Sequence, residues 1–177
     1  MERHLYGGAI CVNIPASYLD ASQLRQIPDN QEVFVEGDSD KSIVIELLEP
    51  AEGNEPARWH YQQLAEDNEA HSAAVSSIQT LSPTADTPRL PPMTRATLLT
   101  GIQTVSKFNQ TTPATVSVLL AVVHLSQAKT DVVITLNRPL VEGVSEGIEH
   151  MAAASALQEM KLLLQSLEVK DWSLFAG

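Results

Sequence analysis

The chain has 177 residues, of which 44% are apolar and 19% charged, as in folded rather than disordered proteins. Its formal net charge of −11 argues against nucleic acid and anionic membranes as partners, because both attract clustered Lys and Arg. The single cysteine, Cys11, cannot form an internal disulfide, and we expect it to be a small buried strand residue.

The length is that of one ordinary domain, so we expect a single domain over residues 1–177. The longest apolar run, Val116 to Leu125, is too short to cross a bilayer. The N-terminus, MERHLYGGAI, lacks the basic-then-apolar pattern of a secretory leader. These features favour the nucleus or the cytosol and exclude membrane insertion.

The first third of the chain is predicted to contain three strands. Ala9 to Ile14 alternates loosely and ends at Pro15, and Asp20 or Ser22 can cap a short helical turn. Pro28-Asp29-Asn30 is a typical turn sequence, because Pro presets φ and Asp and Asn bond nearby backbone. Two further strands, Glu32 to Glu36 and Ser42 to Leu48, are predicted to pair as a hairpin.

The middle of the chain alternates between a helix, strands and an irregular segment. Pro56 is suited to the first turn of a helix that we predict to end at about Asp67. Val75 to Leu81 and Thr97 to Phe108 are predicted strands. Between them, a proline-rich internal loop is predicted over residues 82–95.

The last third is predicted to form the centre of the sheet and a long helix. Val116 to Leu125 and Asp131 to Asn137 are almost continuously apolar, as in strands covered on both faces. Gly147 to Leu167 repeats apolar residues at steps of three and four, which indicates a helix. The whole pattern predicts an α/β fold, an α/β/α sandwich with a mostly antiparallel sheet of about six strands flanked by helices.

No pattern in the chain indicates covalent chemistry, a cofactor or a metal. There is no GxxxxGK phosphate loop, no GxSxG nucleophile motif and no pair of histidines at metal-ligand spacing. We expect His60 to be a surface or boundary residue and His124 a hydrogen-bonded strand end. Catalytic residues are therefore predicted to be absent.

The most informative segment is acidic. Asp20 to Glu55 holds ten of the 22 acidic residues but only two basic ones, Arg25 and Lys41. Carboxylates at fixed places on strands and turns indicate a surface that steers and selects a basic protein partner. Glu46 and Glu49 are three residues apart and would lie on opposite faces of a regular strand, unless a bulge or the strand end brings them together.

Several segments resemble those of a known family. They occur in the same order along the chain: LYGGAI at Leu5 to Ile10, Asp20-Ala21-Ser22 with Leu24-Arg25, Pro28 to Phe34, Ser42 to Glu49, Thr130 to Ile134 with Asn137 and Pro139, and Asp171 with Ser173-Leu174-Phe175. The ordered set resembles the Ran guanine-nucleotide release factor family, small nuclear import proteins that bind the GTPase Ran.

The resemblance implies a PsbP-like fold and the partner Ran, in its GTP-bound and nucleotide-free forms. It implies that Asp20, Asp29 and Glu32 promote release of GTP, with Arg25 as a weaker candidate. It also implies that Glu46 and Glu49 bind Ran. Asp20 and Asp29 are equally well explained as a helix cap and a turn residue.

We add Phe34 as an apolar anchor beside the carboxylates, and we expect Glu32, Glu46 and Glu49 to share one outward-facing surface. The protein is expected in the nucleus, with a cytoplasmic pool, and to be monomeric alone. The alternative is an interaction or trafficking adaptor that binds a GTPase or a membrane-protein cargo without accelerating nucleotide release.

Overall fold

A computed structural model describes residues 1–106 and 112–176 of the chain. The described residues form ten strands and two α-helices. The strands are β1 (Glu2–Leu5), β2 (Ile10–Asn13), β3 (Tyr18–Asp20), β4 (Gln31–Glu36), β5 (Ser42–Leu48), β6 (Ser72–Thr80), β7 (Arg95–Val105), β8 (Ala114–Leu125), β9 (Thr130–Pro139) and β10 (Glu168–Val169). The helices are α1 (Pro56–Asp67) and α2 (Glu146–Ser166).

The strands form two antiparallel sheets. The main sheet has seven strands in the order β3-β4-β5-β9-β8-β7-β6, and the small sheet has three in the order β1-β2-β10. Strands β8 and β9 lie near the centre of the main sheet and are buried along most of their length. Their almost continuous apolar sequence is explained by this position, because neither face meets water.

Each face of the main sheet has its own hydrophobic core. On one face, side chains such as Ile134 and Leu136 pack with Met160 of α2 and with Ile10 of the small sheet. On the other face, Leu120 packs with residues of α1 such as Tyr61. The helices therefore cover opposite faces, and we refer to these as the α2 face and the α1 face.

The predicted α/β class, with a mostly antiparallel sheet flanked by helices, is confirmed. Ser42–Leu48 and Pro56–Asp67 have the predicted bounds, because Pro50 stops the strand and Pro56 starts the helix. The strand count was too low: β1, β3 and β10 have two to four residues and carry little periodic signal. The strand predicted over Thr97 to Phe108 is β7, and Phe108 lies outside the described residues.

Helix α1 is attached to the main sheet through Tyr61. The Tyr61 hydroxyl donates to the carbonyl oxygen of Ala74 at 2.9 Å and lies 3.2 Å from that of Ile102. Gly101 of β7 lies directly beneath the ring. A Cβ atom at Gly101 would be 2.6 Å from the Ala74 carbonyl oxygen and 2.7 Å from Cζ of Tyr61. This close approach explains a glycine within a central strand.

We predict that Gly101→Ala lowers the free energy of unfolding by about 1–3 kcal/mol, because the added methyl group overpacks the contact between α1 and the sheet. Urea denaturation measures the loss. Gly37→Ala is the matched control, since a Cβ at Gly37 meets no atom within 4 Å. Equal stability of the two variants would contradict this packing.

Candidate protein-interaction site

The acidic residues of interest lie at one end of the β4–β5 hairpin. We call Asp20, Asp29, Glu32, Glu46 and Glu49 the acidic rim. Glu32 is directly opposite Ile45 in the register of the hairpin, so these two side chains share a face. Ile45 belongs to the core of the α2 face. Glu46 is the next residue along β5, so its side chain lies on the α1 face.

On the α2 face, Glu32 is held by the chain that follows β1. The backbone N–H of Tyr6 donates to Oε1 of Glu32 at 2.8 Å. Burial raises the pKa of Glu32, the bond from Tyr6 opposes that shift, and the charge of Asp20 raises it further. Asp20 also accepts a hydrogen bond from the Ser22 N–H at 2.9 Å, so it caps a short 3-10 helix as predicted.

On the α1 face, Glu46 lines a groove with helix α1. Its Oε2 accepts a hydrogen bond from Nε2 of Gln31 at 2.9 Å. The groove has a volume of about 230 Å³, and Glu49, Trp59 and Asp67 also line it. Burial raises the pKa of Glu46, the bond from Gln31 opposes this, and the nearby charge of Asp67 raises it again. The end of β5 thus brings Glu46 and Glu49 to one groove.

Tyr6 connects the two halves of the acidic rim. Its hydroxyl lies 3.0 Å from the carbonyl oxygens of both Asn30 and Ile45, at the end of the hairpin. Burial raises the pKa of the Tyr6 hydroxyl, and the charges of Glu32 and Glu46 raise it further. The phenol therefore stays neutral and donates a hydrogen bond, while both carboxylates lie within electrostatic range of it.

Two expectations about this site were wrong. Glu32 and Glu46 do not share one surface, because strand pairing places neighbouring positions on opposite faces of the sheet. Phe34 cannot anchor a partner, since only 2% of its surface is exposed. Its ring packs in the core of the α2 face, and the guanidinium carbon of Arg3 lies 5.3 Å from the ring centroid.

The remaining predicted residues are exposed around the hairpin end. Asp29 lies in the turn before β4, where the N–H of Gln31 donates to the carbonyl oxygen of Pro28 at 3.0 Å. Arg25 follows the 3-10 helix and is exposed. Glu49 follows β5 and is also exposed. Their positions are compatible with contact to a partner.

Sequence reasoning missed the residues that surround the carboxylates. Trp59, Gln63 and Asp67 recur every four residues on α1 and line the groove with Glu46. That spacing marks one helical side and could have been noticed. Beside Asp20, Leu24 is 71% exposed and Leu19 is 51% exposed. These two side chains, unlike that of Phe34, are accessible apolar groups beside the carboxylates.

Comparison with known proteins identifies the family. The sequence model of the family described as Ran-interacting Mog1 protein matches residues 3–139. The chain belongs to the Mog1 family.

Relatives in this family match along the whole chain. A Danio rerio protein named Ran guanine nucleotide release factor is 36% identical, over 99% of this chain and 100% of its own length. The Homo sapiens protein of the same name is 33% identical, over 97% of this chain and 94% of its own. The Schizosaccharomyces pombe nuclear import protein mog1 is 31% identical, over 97% and 98%.

The Mog1 fold is also confirmed by a solved structure. The crystal structure of the Saccharomyces cerevisiae Ran-binding protein Mog1p matches with a TM-score of 0.79 and 27% sequence identity. The match covers 99% of this chain and 98% of that chain. Among the described residues, neither helix has the length and apolar character needed to cross a membrane.

Strand pairing also builds one set of potential metal ligands that the sequence spacing did not reveal. His4 of β1 is directly opposite Cys11 of β2, and its Nδ1 lies 3.3 Å from Sγ of Cys11. Nε2 of the same ring lies 3.4 Å from Oε1 of Glu2. One ligand atom from each residue can be chosen so that all three lie within 4.8 Å of one another.

For this Mog1-family chain we predict that Glu46→Gln leaves the melting temperature at neutral pH unchanged or higher. The folded state raises the pKa of Glu46, so its ionised form opposes folding above the ordinary pKa of a glutamate. Glutamine removes that charge and still accepts the hydrogen bond from Gln31.

The difference from wild type should disappear at about pH 4, where glutamate carboxyls become protonated. Glu142→Gln is the control, because Glu142 is exposed in the connection between β9 and α2. Calorimetric melting at both pH values measures the effect. A clear loss of stability at neutral pH would mean that the charge of Glu46 supports the fold.

Proposed function

We propose that this chain binds the GTPase Ran through the acidic rim, promotes release of GTP from Ran and thereby supports nuclear protein import. The observation that carries the proposal is the pair of partly desolvated carboxylates, Glu32 and Glu46, on the two sides of one hairpin end. The names of its Mog1-family relatives supply the partner.

Carboxylates held in this way are suited to binding a basic surface. Burial makes their charged form costly, and neither forms an ion pair with a described residue. A Lys or Arg of a partner would offset that cost with charge-assisted hydrogen bonds. The excess of negative charge in the chain would also speed the encounter with a basic surface.

The acidic rim cannot release nucleotide by charge alone. A GTPase that holds nucleotide with picomolar affinity binds it with about 16 kcal/mol, whereas a single exposed ion pair contributes ~1 kcal/mol or less. A broad contact must supply the rest. Trp59 in the groove and Leu24, which is 71% exposed, are the apolar side chains placed to contribute. Aromatic anchors commonly dominate such interfaces.

The two halves of the acidic rim suggest two roles. Glu46 and Glu49, in the groove with Trp59, would hold Ran. The carboxylates on or beyond the α2 face, those of Asp20, Asp29 and Glu32, would engage lysines or arginines of Ran that otherwise face phosphate, or would crowd the magnesium site electrostatically. Promotion of release requires tighter binding to nucleotide-free Ran than to Ran-GTP, and GTP must then weaken this complex by the same factor.

The proposal extends to the remaining expectations. The chain would act as one monomeric domain over residues 1–177, with no cofactor and no covalent step. Arg25 would contribute at the edge of the contact, beside Asp20. The protein would work in the nucleus, with a cytoplasmic pool.

We predict that Glu49→Lys weakens Ran binding at least tenfold and slows the release of fluorescent GTP from Ran. Glu49 is exposed, so the change reverses a charge in the groove without disturbing the core. Glu32→Lys should have the same effect on release. Glu32 also accepts a hydrogen bond from the Tyr6 N–H, so the melting temperature of the Glu32→Lys variant is measured in parallel to check that it remains folded.

Glu142→Lys makes the same change of charge in an exposed connection away from the rim and should leave binding and release unchanged. Normal release by both rim variants would remove the proposed mechanism. Wild-type binding to Ran without any increase in the nucleotide off-rate would instead identify the protein as an adaptor.

A further inference from the structure

A row of polar side chains lies on the α1 face where β7 begins, β8 ends and β9 begins. Arg95 of β7 is directly opposite His124 of β8, and His124 is directly opposite Asp131 of β9. Directly paired positions share a face, with Cβ atoms about 5 Å apart. The three side chains therefore stand side by side on the α1 face.

Asp131 fixes this row in place. Only 1% of its surface is exposed, and its oxygens lie 2.8 Å from Nδ1 of His124, 2.8 Å from Nε2 of His60 and 2.9 Å from the N–H of Ala51. Burial raises the pKa of the Asp131 carboxyl, but the hydrogen bonds from His60, His124 and the Ala51 N–H, together with the charge of His60, lower the pKa overall. Asp131 is therefore a carboxylate whose hydrogen-bonding capacity is largely used.

This contact corrects the expectation for His60, which is 5% exposed and buried under α1 rather than at the surface. His124 is a hydrogen-bonded strand end, as expected. Because Nδ1 of His124 faces Asp131, Nε2 lies on the far side of the ring. The side chain of His124 is 27% exposed, and its open side faces a cavity.

The cavity has a volume of about 410 Å³ and lies between the loop that follows β5 and the adjoining ends of β7 and β8. Its walls are mainly apolar and include Ala51, Pro56 and Val122. The polar residues that line it are Asn54, Thr80, Arg95, Thr97, His124 and Asp131, and the Asp131 carboxylate is already engaged by the two histidines. A mostly apolar cavity with a few converging polar groups is the usual form of a small-molecule site.

Two of these polar groups lack partners among the residues that the structure describes. Oγ1 of Thr97 is buried and forms no hydrogen bond there. The side chain of Arg95 is exposed and forms no hydrogen bond or ion pair with any described residue, although the chain has twice as many acidic as basic residues. An unpaired buried hydroxyl is destabilising, and a guanidinium beside it is suited to the oxygens of a phosphate or carboxylate.

We propose that this cavity binds a small molecule that carries one anionic group, a phosphate ester or a carboxylate, on an apolar body. Arg95 and Thr97 donate to the anionic oxygens. Because Nδ1 of His124 bonds to Asp131, Nε2 is the ring nitrogen that can hydrogen-bond with an oxygen of the ligand. The apolar body lies against Val122 and Ala51. This site is separate from the acidic rim and does not depend on Ran binding.

The site can be tested with phenyl phosphate, benzoate and inorganic phosphate as probes, followed by NMR of the ¹³C- and ¹⁵N-labelled chain. Phenyl phosphate or benzoate should shift the imidazole signals of His124 and the methyl signal of Thr97 in a saturable way. Inorganic phosphate should bind more weakly than phenyl phosphate, because it gains nothing from the apolar wall.

Arg95→Gln should weaken binding of the aromatic probe about tenfold, as expected for a charged hydrogen bond. Arg89→Gln is the matched control, since Arg89 lies in a hollow with Glu159 of α2, away from this cavity. Thr97→Val should weaken binding about threefold and raise the melting temperature, because it removes a buried hydroxyl without a partner.

Preferential binding of phenyl phosphate or of benzoate would assign the ligand to the phosphate or the carboxylate class. Absence of saturable shifts at His124 and Thr97 with both aromatic probes would overturn the proposal. Equal losses of affinity in Arg95→Gln and Arg89→Gln would also overturn it, because they would indicate attraction to any surface charge. If Thr97→Val binds the probes with the affinity of the wild type, the Thr97 hydroxyl does not contact the ligand.

Discussion

The contact of Tyr6 with the β4–β5 hairpin determines the geometry of the candidate interaction site. The Tyr6 hydroxyl meets the carbonyl oxygens of Asn30 and Ile45, and its backbone N–H binds Glu32. Because Tyr6 directly follows β1, these bonds join the small sheet to the end of the main sheet. They hold both carboxylates of the hairpin beside one neutral phenol.

This arrangement explains why a folded chain keeps costly charges. Burial opposes ionisation of Glu32 and Glu46, and simple stability would favour neutral side chains at both positions. Sites that bind a partner commonly carry such costs, because the partner supplies the missing countercharge. In the function proposed above, a basic face of Ran supplies that countercharge. The separate Asp131 network shows the opposite case, a carboxylate whose partners are all internal.

Local signals in the sequence predicted the elements that they control. Pro50 and Pro56 fix the end of β5 and the start of α1, and the apolar runs of β8 and β9 mark the sheet centre. Strands such as β3 were missed, because three residues give no period and their pairing with β4 is decided by tertiary contacts. The sequence predicted which acidic residues lie in turns and which lie on strands. It did not predict that they are distributed over two faces of the sheet.

That distribution depends on which residues pair across the sheet: Glu32 is opposite Ile45, whereas Glu46 is opposite Gln31. Phe34 was misjudged for a related reason: its neighbours are acidic, while its own side chain points into the core. The bond between His60 and Asp131 joins residues 71 positions apart and has no local signature. Contacts of that range become visible only when the sheet order is known.

The most direct test of the central claim is to map the surface that meets nucleotide-free Ran by titrating it into the ¹⁵N-labelled chain. The account predicts that amide signals change at Asp20 and Asp29 to Glu32 on one side, and at Glu46 to Glu49 on the other. Signals at the exposed start of α2, near Ile148 and Met151, should stay unchanged. Changes centred on α2, with the acidic rim unaffected, would contradict the account.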